Sequence, residues 1–89
     1  MSNPKKKDPS KKLKQKLQQI SGNYQWSDLT KLFAKLGYEK QEREGSRVAF
    51  YNREKNCLII LHKPHPGNIV KKGAQRAVIK HLNDNGENL

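Results

Sequence analysis

The clearest helical spacing in the chain is Leu29, Leu32, Phe33 and Leu36, the i, i+3, i+4, i+7 pattern of one buried stripe. Ser27 is a good N-cap ahead of it, and Asp28 places a carboxylate on the positive end of the helix dipole. Gly37 supplies the residue at which such a helix stops. Residues 38–44 are weakly strand-like, and Gly45-Ser46 reads as a turn. The period then changes to two: Val48 and Phe50 fall on one side of a strand, with Arg47, Ala49 and Tyr51 on the other. A polar turn, residues 53–56, leads into a β-rich and nearly all apolar run from Cys57 to His62, which reads as a central strand. Two prolines and a glycine make residues 63–68 a loop. A last helix runs from about Lys72 to Asp84, with Ala74, Ala77, Val78, His81 and Leu82 inward and Gly86 beyond its end. The pattern predicts an α+β domain of order α-β-β-β-α, with two helices on one face of a three-stranded antiparallel sheet.

The domain so predicted spans residues 26–89. Residues 1–25 differ in kind, with seven lysines against Asp8 alone and few apolar side chains. Such a segment is expected to be a flexible lysine-rich arm, because it cannot bury enough surface to offset the entropy of ordering it. Leu13, Leu17 and Ile20 do recur at i, i+4, i+7, so residues 10–21 have the pattern of a short amphipathic helix formed on a partner. A helix that short is marginal alone in water.

Charge narrows the partners. The 89 residues hold 19 Lys+Arg against 8 Asp+Glu, a net charge of +11, and the default partner of so basic a surface is a polyanion. The size excludes a two-domain enzyme or a deep cofactor fold. One cysteine, Cys57, cannot form an internal disulfide, which points to a reducing compartment. The longest apolar run, residues 57–61, is too short for a membrane span, and the basic N-terminal stretch lacks the apolar region of a secretory signal. A cytoplasmic protein with no membrane contact is expected.

Metal chemistry finds no ligand motif, since one cysteine and three scattered histidines make a poor zinc set, and no phosphate-binding glycine loop stands in strand-to-helix context. No metal or cofactor is therefore expected. Cys57, inside an apolar strand, reads as an inert core residue, and His81 as a partly buried packing residue. His62 closes the last strand where it meets the loop, and His65 lies between Pro64 and Pro66, whose rings restrict the backbone on both sides. Both are candidates for chemistry.

Several short features together resemble the HicA toxins of bacterial HicA–HicB toxin–antitoxin pairs. They are the opening helix ending in Leu36-Gly37-Tyr38, Gly45-Ser46 before a strand, the His65-Pro66-Gly67 loop, and Lys72-Gly73 at the last helix. The resemblance covers roughly residues 26–86. It implies a fold of the double-stranded-RNA-binding-domain type, cleavage of messenger RNA, a HicB-like antitoxin that masks the active surface, and a cytoplasmic setting. Typical members read G-S-H-x-x-F, and that histidine is the catalytic one. This chain reads Gly45-Ser46-Arg47-Val48-Ala49-Phe50. A guanidinium cannot act as a general base near neutral pH, but it can hold a phosphate bidentately and stabilise transition-state charge.

Strand register points to a substitute. If Asn52 pairs with Cys57 across the turn, Arg47 lies opposite His62, and directly opposed residues share a face. His62 is then the expected base, with Arg47 beside it and His65 as the fallback. Lys63, Lys71, Lys72 and Arg76, with Lys5, Lys6, Lys7, Lys11 and Lys12 of the arm, are the candidate RNA contacts. Val48, Phe50, Ile59 and Leu61 form the core face, which leaves Leu58 and Ile60 outward, where an antitoxin or a second copy would cover them. The alternative reading is a catalytically inactive RNA-binding module of the same fold.

Overall fold

The computed structural model describes residues 10–89. Six elements follow one another: α1 (Lys11–Gln18), α2 (Trp26–Lys35), β1 (Glu39–Glu42), β2 (Arg47–Asn52), β3 (Cys57–His62) and α3 (Lys72–Asp84). From α2 onward this is the expected α-β-β-β-α order, and the three strands form one antiparallel sheet.

Helix α2 buries the predicted stripe, with Leu29, Leu32 and Phe33 fully inside. It starts one residue before Ser27, with Gln25 in the N-cap position and no side-chain cap. The reason is tertiary. The backbone N–H of Trp26 donates to the Asn68 carbonyl at 2.7 Å, so the distant loop satisfies an orphan donor of the first turn and lets the helix begin before Ser27. Asp28 sits in the first turn as expected. At the other end Gly37 adopts φ +89, and the Tyr38 and Gly37 N–H groups donate back to Phe33 and Ala34. This is a Schellman ending, and its apolar contact is the Tyr38 ring edge-on to Phe33 at 4.8 Å.

In the sheet, Val48, Phe50 and Leu61 are buried beneath the helices, and Phe50 stacks on Phe33 at 4.3 Å. The strand order is β1-β2-β3, which corrects one expectation: the apolar run Cys57–His62 is an edge strand, and β2 is central. Two successive tight hairpins produce a meander, so the middle strand in sequence is the middle strand in space. The apolar run arises because one face of β3 packs inward while Leu58 and Ile60, 43% and 44% exposed, lie on the open face.

The described part of the lysine-rich segment, residues 10–25, is not the flexible arm expected. From Ser10 onward it is folded: α1 lies against α2 and α3, Leu17 is fully buried, and Tyr24 joins the same core. The Leu13–Leu17 pattern finds its apolar partner within the chain, and burying one such leucine is worth about 1.5–3 kcal/mol, which offsets the marginal stability of an eight-residue helix. Among the described residues two ion pairs hold it, Lys16 to Asp28 at 3.6 Å and Lys14 to Glu87 at 2.9 Å. Lys5, Lys6 and Lys7 lie outside the described residues.

Helix α3 turns a slightly different face inward from the one expected. Gln75, Val78 and Leu82 are buried, whereas Ala77 is exposed. Gln75 is there for its hydrogen bonds, since its Nε2 donates to the Ser21 carbonyl at 2.7 Å and the Val70 carbonyl at 2.9 Å. One polar side chain thereby ties two loops to the helix.

Candidate functional site

The β2–β3 register places Arg47 opposite His62, and both side chains are exposed on the sheet face away from the helices. The ladder continues one step further, with Lys63 N–H donating to the Ser46 carbonyl at 2.7 Å. That step brings the Ser46 hydroxyl to 3.3 Å from His62 Nδ1. With Nδ1 engaged, Nε2 is the nitrogen left for chemistry. Among the described residues the Arg47 guanidinium has no ion-pair or hydrogen-bond partner, so it is available to an anion.

Beyond His62 the chain leaves the sheet and is clipped back onto the start of α2. Val70 N–H donates to the Tyr24 carbonyl at 2.8 Å, Trp26 N–H donates to Asn68, and Gln25 and Ile69 form a bridge. The clip closes one side of a groove of about 600 Å³. Trp26, Ile60, Ile69 and Val70 supply its apolar walls, and Ser46, His62, Lys63, His65 and Lys71 its polar ones. Among the described residues no carboxylate lines it. A site of this kind attracts an anion and leaves its charge uncompensated by acidic neighbours.

The expected site residues therefore divide. His62, His65, Lys63 and Lys71 converge on the groove, and Arg47 stands beside it across the hairpin. Lys72 and Arg76 are exposed on α3 and Lys11 and Lys12 on α1, none of them lining the groove. Two participants were not anticipated, Ser46 as partner of His62 and Trp26 as a wall. The first was within reach, because the register that opposes Arg47 and His62 also opposes Ser46 and Lys63. The second depends on the clip between remote segments and has no local signal.

His81 and Cys57 belong elsewhere. Tyr38 Oη lies 3.0 Å from His81 Nε2 and 3.3 Å from Cys57 Sγ, a half-buried chain of hydrogen bonds that joins the residue before β1 to β3 and α3, and none of the three residues lines the groove. Burial holds the His81 imidazole below its ordinary range, against the pull of Asp84, and burial with the Cys57 contact raises the Tyr38 phenol. Both shifts favour neutral groups, as suits packing residues. Among the described residues no three His, Cys, Asp or Glu side chains gather where they could hold a metal ion.

Fold and site together define a small, strongly basic α+β domain with a histidine-bearing cationic groove at the open end of a hairpin. The family model of the HicA toxin of bacterial toxin–antitoxin systems matches residues 26–83, the run from the start of α2 almost to the end of α3. The chain belongs to this family, as the toxin of a toxin–antitoxin pair whose partner is an antitoxin. Helix α1 lies outside the match. No curated protein and no solved structure matches the chain. Among the described residues no helix is long and apolar enough to cross a membrane.

Proposed function

We propose that this toxin is a metal-independent endoribonuclease of the cytoplasm that cleaves messenger RNA, with His62 as its base and a HicB-like antitoxin as its inhibitor. The observation that carries the reading is the pairing of Arg47 with His62, with Ser46 on His62 Nδ1, beside a groove to which the described residues contribute lysines and no carboxylate. Arginine stands where typical relatives carry their histidine, and His62 is the imidazole on the opposed strand.

The chemistry follows from the groups. His62 Nε2 takes the proton of the RNA 2′-hydroxyl, whose oxygen attacks the adjacent phosphorus. The P–O5′ bond breaks, the 5′-oxygen takes up a proton, and a 2′,3′-cyclic phosphate remains on the upstream fragment. Arg47, Lys63 and Lys71 stabilise the added charge on the phosphorane. The hydroxyl of Ser46 accepts from Nδ1–H both before and after Nε2 is protonated, which holds the ring in one orientation. The antitoxin covers the open face at Leu58 and Ile60 and so occludes the same hairpin end.

His62→Ala is expected to lower cleavage of a single-stranded RNA by about two to four orders of magnitude, the usual scale for a general acid–base group, with little change in melting temperature. Arg47→Ala and Ser46→Ala should lower it by less. His65→Ala is assayed in parallel: if it is inactive while His62→Ala cleaves at the parent rate, the loop histidine is the base. Arg47 in the histidine's place also favours a second reading, an RNA-binding module without activity. Retention of RNA binding by a parent protein that cleaves nothing selects that reading.

A further inference from the structure

The groove is apolar where it is deep and cationic where it opens. Trp26 and Val70 in its walls are 6% and 3% exposed, whereas Ile60 and Ile69 stand 44% and 39% exposed. Two exposed isoleucines flanking one cavity are unexplained by the fold, since neither contributes to the buried core. Around them lie Lys63, Lys71 and the two histidines, with no acidic residue among the described residues that line the groove. A ligand matching this arrangement has a flat, largely apolar body joined to an anion, which is the constitution of a nucleotide. At about 600 Å³ the groove is in the size range of small-molecule sites. A base held in a duplex stack cannot enter it, because its faces are covered by its neighbours and its edge by its partner.

We propose that the groove is a base subsite, which takes one unstacked nucleobase between Ile60, Ile69 and Trp26 while Lys63 and Lys71 hold the attached phosphate. The inference rests on the ribonuclease reading for its ligand and goes beyond it. It makes the scissile nucleotide one that must be unpaired, and it assigns Ile60 and Ile69 to base recognition.

Trp26 is the chain's single tryptophan and lines the groove, so its fluorescence reports occupancy without any need for cleavage. The full chain is titrated with a thymidine octadeoxynucleotide, which lacks the 2′-hydroxyl and is not cut. The comparisons are an abasic octamer of equal charge and the same octamer annealed to its complement. The single strand should change the Trp26 emission saturably. The abasic strand should bind on the order of tenfold more weakly, and neither it nor the duplex should change the emission. Ile69→Ser should weaken single-strand binding by a similar factor and leave abasic binding as it was. Ile60→Ser serves as the second variant should the first fail to fold. An abasic strand bound as tightly as the thymidine strand, or a duplex that moves the emission equally, overturns the base subsite. The two readings fail separately. Unimpaired cleavage by His62→Ala refutes the catalytic assignment and leaves the fluorescence result standing, whereas a silent Trp26 beside an inactive His62→Ala refutes the subsite alone.

Discussion

Replacing Leu17 by alanine separates a docked helix from a mobile arm. Leu17 is fully buried where α1 meets α2 and α3, while Lys11 and Lys12 on the same helix are exposed. A buried Leu→Ala change removes its transfer free energy and leaves a cavity, at a cost of about 2.7–5 kcal/mol depending on how far the site collapses. Helix α1 is short and lies at the outside of the domain, so it can move inward and fill part of the gap, which places the loss near ~3 kcal/mol. For a domain of this size each kcal/mol lowers the melting temperature by about 4–8 °C, giving a fall of about 12–24 °C. Thermal and urea melts followed by circular dichroism measure it. Lys11→Ala and Lys12→Ala are the controls and should stay within about 0.5 kcal/mol of the parent. A Leu17→Ala loss under about 1 kcal/mol, with an unchanged urea slope, would show that α1 is undocked in solution. The result also decides how the basic segment is tested against RNA. Deleting residues 1–22 removes charge and core together, whereas neutralising Lys11 and Lys12 removes charge alone. Neutralisation should flatten the salt dependence of binding by up to about 0.7 log units per lost phosphate contact.

Two further expectations concern pH. Because burial lowers the His81 value, the unfolded chain binds more protons as pH falls below the ordinary value of about 6.5. Its contribution is therefore complete above that pH and is lost below it, and His81→Gln should flatten the melting temperature between about pH 7 and about pH 5. Parallel curves for the two proteins would refute this. Glu87 is partly desolvated, which works against its charge, but Lys14 at 2.9 Å and Lys55 at 3.0 Å prevail and lower its value. That stability is present above the ordinary carboxylate range and is lost as pH falls through the lowered value. Glu87→Gln should cost about 0.5–1 kcal/mol at neutral pH and almost nothing in acid, and an equal cost at both would exclude the ion pairs as its source.

The elements of the family domain were legible because their signals are local. The stripe from Leu29 to Leu36, the stop at Gly37, the alternation of β2 and the turn between Asn52 and Cys57 each act over a few residues. Together they specify the order and the register that brings Arg47 to His62. Sterics and hydrogen bonding within such short spans leave few choices. What the chain alone left open depends on contacts between remote segments. Leu13 and Leu17 mark an amphipathic helix, yet whether its apolar side meets this chain or another is decided by the shape of α2 and α3. Gln75 reads as a surface residue until two loop carbonyls lie within its reach. The edge position of β3 follows from the meander, which its own composition does not reveal. The groove exists only because residues 68–70 are clipped to residues 24–26, a pairing across more than forty residues. Periodicity can specify an element and a register, but the satisfaction of polar groups and the shape of a cavity are properties of the assembled tertiary structure.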